Sequence, residues 1–164
     1  MAISEVNLIE QFVKSWQMLE DEPHPVSKKS GELDLQLLDT FLPKQLPPLF
    51  VELLTNFHWE EVYFENFRLL PNQGIEEFIA EVNFDKYLSK VLLSNGLIQF
   101  ARAVDGASYD PICFDTRSSG KIFPIVRVDH EEALIRDKLK VLSVVAPSFD
   151  ALLLSTMSTA ANDP

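Results

Sequence analysis

One run of side chains has the composition of a metal site: Asp129-His130-Glu131-Glu132. On a helix, residues three or four apart share a face, so Asp129 and Glu132 converge while His130 points elsewhere. The same residues also fit a helix start, with Asp129 as N-cap and Glu132 at the third helical position of a capping box. No second histidine stands at a helical offset, and nothing pairs His24 or His58 with His130. Capping is the expectation for these residues, and metal or acid–base chemistry through Asp129, His130 and Glu132 is the competing reading. Cys113 is the single cysteine, which excludes an internal disulfide. Its apolar neighbours on a predicted strand describe an inert buried thiol; a nucleophile needs a base and an electropositive setting. Asp105, Asp110 and Asp115 bracket predicted turns, where aspartate bonds its own backbone. The sequence holds no phosphate loop, dinucleotide fingerprint, Gly-x-Ser-x-Gly elbow or His-Glu-x-x-His helix. It therefore implies no catalytic residue, no metal and no cofactor.

The aromatic residues suggest a different chemistry. Phe57-His58-Trp59-Glu60-Glu61-Val62-Tyr63-Phe64-Glu65 interleaves rings with three glutamates. With Trp59 or Tyr63 exposed, Glu60, Glu61 and Glu65 would form an acidic rim around an aromatic anchor, the composition of a protein interface. Trp59, Glu60, Glu61, Tyr63 and Glu65 are accordingly the candidate partner-binding residues. The competing reading places the rings in the core at a helix-to-strand junction.

These residues need elements to position them. Ser4 can cap a first helix on which Ile9, Phe12, Val13, Trp16 and Leu19 share one face. Pro23 and Pro25 end it, and residues 21–32 read as a loop. A second helix over Leu33–Phe41 stops at Leu42-Pro43. A third opens at Pro47-Pro48 and runs to about Asn56, turning Leu49, Phe50, Leu53 and Leu54 to the core. Val62–Phe64 and Phe67–Leu70 are β-prone, and Pro71-Asn72-Gln73-Gly74 interrupts the chain. Two more helices follow, Ile75–Val82 and Phe84–Leu92, before a turn at Ser94-Asn95-Gly96. Then come three strand-like segments, Leu97–Val104, Pro111–Phe114 and Ile122–Val128, with turns at Asp105-Gly106 and Ser118-Ser119-Gly120. An antiparallel meander is the simplest way to join them. Pro124 pushes the last of these strands to an edge or delays its start. A helix begins after Asp129, a final one opens at Ser148 and buries Phe149, Leu152 and Leu153, and the tail 158–164 is expected to fray. The fold class is α+β: a compact antiparallel sheet of about four to six strands flanked by several helices, with an additional N-terminal helix.

Composition narrows the partners. The 164 residues carry 14 basic and 25 acidic side chains, a net charge of −11, which disfavours direct contact with a nucleic-acid backbone and favours a basic protein. Residues 1–82 hold 5 basic and 15 acidic side chains, whereas residues 83–164 hold 9 and 10, so the excess acid lies in the first half. Either this is a one-sided field or these acids are the solvated faces of amphipathic helices. No basic leader opens the chain, and no run of ~20 apolar residues could cross a membrane. A cytoplasmic setting is expected, which the lone thiol also fits.

Four stretches in a fixed order resemble the SUKH superfamily: Leu42-Pro43 between two helices, LIQFARAVDGASYDPICFD (Leu97 to Asp115), VRVDHEE (Val126 to Glu132) and APSFDALL (Ala146 to Leu153). The likeness covers about residues 33 to 157. Thr55-Asn56-Phe57-His58-Trp59 stands where that family commonly has an Asn-Gly-Gly-like turn, and one glycine, Gly106, where it often has two. The resemblance implies an α+β domain over 33–157; the N-terminal helix and linker read from the residues (1–32) stand in front of it as an added piece, and the disordered tail (158–164) follows it. It further implies a non-enzymatic module that binds proteins, as the bacterial immunity proteins and the fungal cell-wall synthesis regulators of that family do. The expected function is neutralisation of a cognate toxin by occlusion, with nucleases the class an acidic inhibitor suits, because it can imitate phosphates. The alternative is a regulatory or scaffold protein that binds signalling or cell-wall synthesis proteins, with the Trp16 stripe as a docking element. The expected partner is a basic protein, such as a toxin domain. No direct nucleic acid and no membrane are expected, and the chain itself is expected to be a monomer or weak homodimer.

Overall fold

Proline at the start of a helix costs no hydrogen bond, and Pro47-Pro48 uses this to launch a helix whose Phe50 ends at the centre of the molecule. The computed structural model describes residues 5–17, 25–27, 33–42, 46–64, 66–105, 109–117, 120 and 122–162. In chain order these form α1 (Glu5–Gln17), β1 (Val26–Ser27), α2 (Leu33–Phe41), α3 (Pro48–Asn56), β2 (Phe57–His58), β3 (Tyr63–Phe64), β4 (Phe67–Leu69) and α4 (Ile75–Val82). There follow α5 (Lys86–Ser94), β5 (Leu97–Ala103), β6 (Pro111–Asp115), β7 (Ile125–Val128), α6 (His130–Arg136), β8 (Val141–Ala146) and α7 (Phe149–Asn162). The fold is α+β, as the alternation of helical and strand periods predicts.

Strands β3 to β8 make one six-stranded antiparallel sheet in sequential order, a meander with α4 and α5 inserted before β5 and α6 inserted before β8. The turn into β5 is made at Gly96 with φ of 72°, and a Cβ there would lie 3.3 Å from the Thr116 hydroxyl. In β5 the register against β6 shifts between Gln99 and Ala101, so Phe100 and Ala101 both join the main core. This bulge explains why the segment alternates only imperfectly in sequence.

One face of the sheet meets α1, α3 and α7, whose apolar sides form a single buried cluster with Ile98, Phe100, Phe114 and Ile125. The Phe50 ring packs edge-on against Phe100, Phe114 and Phe149 at centroid distances of 5.4, 5.1 and 5.3 Å, and against Phe78 at 5.8 Å. The other face carries a smaller cluster of Leu92, Leu97, Cys113, Val126 and Val128 beneath α5. Both faces of β5 and β6 are covered, hence their nearly continuous burial.

The N-terminal helix is part of the main core: Ile9, Phe12, Val13 and Trp16 are buried, and α1 packs on α3 and α7. The Trp16 stripe is thus an internal packing face and is unavailable as a docking element. The Ser4 cap, Leu19 and the turns at Gly106 and Ser118-Ser119 lie outside the described residues.

Four elements depart from the sequence reading. Val26 and Ser27, expected in a loop, pair with His58 and Phe57 as a two-stranded sheet. Helix α5 starts after Asp85, whose carboxylate accepts from Tyr87 N and Leu88 N; Phe84 precedes the cap and is solvent-exposed. Strand β8 was not anticipated, because Val-Leu-Ser-Val-Val-Ala does not alternate cleanly and its middle residues are exposed at the sheet edge. Helix α7 continues past Ser158 to Asn162, since no glycine or proline interrupts that stretch. Pro124 delays β7, which starts at Ile125, and the edge position belongs to β8.

Truncating Phe50 to alanine removes a ring shared by four others and should cost about 3–5 kcal/mol in urea unfolding, or ~10 °C in Tm. Tyr87→Ala, at a side chain standing in solvent, should change Tm by no more than a degree or two.

Candidate functional site

The acidic aromatic stretch begins where α3 ends. Phe57 closes that helix in an extended conformation, so the chain enters β2 directly and Trp59 forms an antiparallel bridge with Asn72. Trp59 is 2% exposed, and its indole N–H donates to the Leu70 carbonyl at 2.9 Å. Asn72, fully buried, donates from Nδ2 to the carbonyls of Leu54 and Phe57. These bonds fasten the end of α3 to the strand leaving β4. Trp59 therefore belongs to the core, and its proposed role as an exposed anchor is corrected: the indole N–H and ring are both consumed inside.

The other candidates are arranged differently. Glu60 is exposed and has no salt-bridge partner among the described residues. Glu61 accepts a hydrogen bond from the Tyr63 hydroxyl and lies 3.9 Å from Arg68. That carboxylate holds the Tyr63 phenol above its ordinary pKa, so the hydroxyl stays protonated. Tyr63 is half-buried, and Glu65 lies outside the described residues. Glu60 and Glu61 thus lie outside a junction whose inner side is Trp59 and Val62, and the Tyr63 ring packs partly against the core with its hydroxyl at Glu61.

Other first-half carboxylates also stand in water. Glu10, Asp39 and Glu76 are exposed and without salt bridges among the described residues, and α2 packs beside α4, which carries Glu76. Four acids of the second half are paired internally instead. Arg127 pairs with Asp105 and Asp110 at 2.9 Å each, Arg117 with Asp115 at 2.7 Å, and Arg136 with Glu132 at 3.3 Å. Net charge is thus expressed mainly on the first half.

Asp129 accepts from Glu131 N and Glu132 N, as a capping residue should. The box does not close: Asp129 N donates to the Lys140 carbonyl, and Glu132 turns to Arg136. His130 instead faces Asp110, 5% exposed, which accepts from the His130 Nδ1 at 2.8 Å and from the Arg127 Nε at 2.9 Å. Asp105 and Asp110 are therefore partners of Arg127, where the sequence predicted turn bonding. The pattern could not be read from spacing because Asp110 and His130 are brought together by the β6–β7 pairing. No group of three His, Cys, Asp or Glu among the described residues is placed to hold a metal.

Cys113 is fully buried, and burial raises its thiol far above the ordinary value, so it is neither nucleophile nor ligand. The sequence also missed a cleft of about 220 Å³ between α5 and α6, floored by Gln99 and Arg102 of β5 and rimmed by Phe84 and Tyr109. No spacing rule joins these residues. Among the described residues no helix is long and apolar enough to cross a membrane.

Two predictions follow from these environments. Native protein should leave Cys113 unlabelled by an aromatic disulfide reagent at neutral pH, and denaturant should release one equivalent. Hydrogen bonds from Arg127 and Arg117 hold the carboxyls of Asp105 and Asp115 below their ordinary pKa. A depressed folded pKa contributes stability above the unfolded value of about 4 and loses it as pH falls through the folded one. Tm should therefore decline as pH drops below about 4, and Arg117→Ala should shallow that decline.

A family model described as SMI1 / KNR4 family (SUKH-1) matches residues 31–155. No curated protein and no solved structure gives a significant match.

Proposed function

The chain belongs to the SMI1 / KNR4 family (SUKH-1), and on that premise we propose that it is a non-enzymatic immunity protein that neutralises a basic cognate toxin in the cytoplasm by covering its active surface. Family membership itself supports a protein-interaction or immunity-type role. The observation that carries the finer reading is the distribution of charge. The first half holds fifteen acidic side chains against five basic ones, and Glu10, Asp39, Glu60 and Glu76 are exposed without salt bridges among the described residues. Unpaired carboxylates left in water steer a cationic partner and can take the place of phosphates in a nuclease cleft.

The contact surface of this reading centres on Glu60, Glu61 and Tyr63 at the α3–β3 junction, supported from beneath by the buried Trp59; Glu65, the further sequence candidate, lies outside the described residues. Tyr63, with its phenol oriented by Glu61, is the aromatic contact, and the acids form the rim. The regulatory-scaffold alternative loses its distinguishing element, since the Trp16 stripe is buried.

The test is capture of partners by the tagged full chain at low and high salt, followed by association kinetics with whatever protein is recovered stoichiometrically. A basic toxin domain is expected. Replacing Asp39, Glu60 and Glu76 together by lysine should slow its association by about tenfold or more at low ionic strength, while Tm barely moves. Recovery of an acidic partner, or an association rate indifferent to both salt and charge reversal, would overturn the proposal.

A further inference from the structure

Arginines that lie opposite each other on neighbouring strands repel, and a protein with excess acid has many ways to relieve the repulsion. Arg68 of β4 and Arg102 of β5 are such a pair in direct register. Arg68 has Glu61 within 3.9 Å. Arg102 has no salt bridge among the described residues, and its Nε is buried without a hydrogen-bond partner. Burial, and then the charge of Arg68, lower its pKa. An unsatisfied buried donor on a partly desolvated cation is costly to the free protein.

The surroundings of Arg102 show what would relieve it. Its side chain lies on the floor of the cleft between α5 and α6, beside Gln99. Gln99 is engaged with the Ala101 carbonyl through Nε2, and Asp85 at the cleft wall is committed to capping α5. Glu81 acts on Arg102 only through space and makes no ion pair with it. Around the opening stand apolar side chains that a folded chain would ordinarily bury: Phe84 is 75% exposed, Tyr109 70%, and Leu134 42%. A guanidinium with no salt bridge among the described residues, lying beneath an aromatic rim, can take an anion attached to an apolar group.

We propose that this cleft is a second interaction surface that takes an acidic side chain of a protein partner, an Asp or Glu with an aromatic residue next to it. The carboxylate pairs with the cleft side of the Arg102 guanidinium, and the neighbouring ring packs against Phe84 and Tyr109. This surface adjoins the acidic contact face, since Arg102 stands opposite Arg68, which in turn stands opposite Tyr63, but it does not depend on the toxin reading.

The experiment titrates the isotope-labelled full chain with N-acetyl-Glu-Phe-amide and follows the Arg102 Nε–H resonance together with backbone amides. Shifts confined to residues around Phe84, Arg102, Tyr109 and Leu134 are expected, with binding about tenfold weaker for N-acetyl-Gln-Phe-amide, the loss of one charge-assisted pair. Phe84→Ala, at a solvent-exposed position, should weaken the glutamyl probe several-fold with the spectrum otherwise unchanged, and Arg102→Lys should weaken it while keeping the charge. Equal binding of the two probes, shifts elsewhere, or no shift at the solubility limit of the glutamyl probe would overturn the proposal. Tighter binding of N-acetyl-Ala-Phe with a free carboxylate would also overturn it, by assigning the cleft to a chain terminus.

Discussion

The position of the Phe50 ring is the constraint on which the other elements depend. It touches Phe78 of α4, Phe100 of β5, Phe114 of β6 and Phe149 of α7, and Phe100 and Phe114 are themselves stacked at 4.2 Å. Five elements far apart in sequence therefore share one set of van der Waals contacts, and none can shift without opening a void. Rings meeting edge-on add an electrostatic preference to the burial, which selects one arrangement among many compact ones. Helix α3 is consequently a fixed axis, and what leaves its C-terminus is fixed with it. This is how a short stretch without regular structure, Trp59 to Val62, holds a defined place on the surface.

Polar groups anchor the same region. Asn72 spends its amide nitrogen on two carbonyls at the end of α3, and Trp59 and Asn72 exchange backbone hydrogen bonds at 2.9 Å. In the second half Asp110 performs the equivalent task, joining β7 through Arg127 to the start of α6 through His130. Asp105, Asp110, Asp115 and Glu132 in that half are tied to arginines of the same half. The first half builds its core from aliphatic and aromatic contacts and leaves Glu10, Asp39, Glu60 and Glu76 in water. Five of the six salt bridges among the described residues lie in the second half, whereas the excess of acidic over basic side chains lies in the first.

How far this was legible depends on the range of the interactions. Capping by Asp129, the start of α3 at Pro48 and the burial of Phe149, Leu152 and Leu153 all follow from signals within a turn or two of the chain, and the structure contains them. The acidic aromatic stretch was recognisable as unusual, but whether Trp59 faces water depended on Leu70 and Asn72, eleven and thirteen residues away. Strand β8 was hidden for a related reason. A strand at the edge of a sheet is stabilised by the neighbour it pairs with, and its own pattern here is irregular at two register shifts against β7.

By itself the sequence determined the α+β class, the family pattern, the uneven distribution of charge and most helix boundaries, because these rest on composition and on local periodicity. Only the tertiary structure decided which rings are anchors and which are core, that Asp110 serves Arg127 and His130, and that Arg102 lies in a cleft across from Arg68. Those outcomes turn on pairs of residues joined by strand register and helix packing. Burial, hydrogen-bond satisfaction and desolvation are properties of such pairs, and no single segment of the chain contains them.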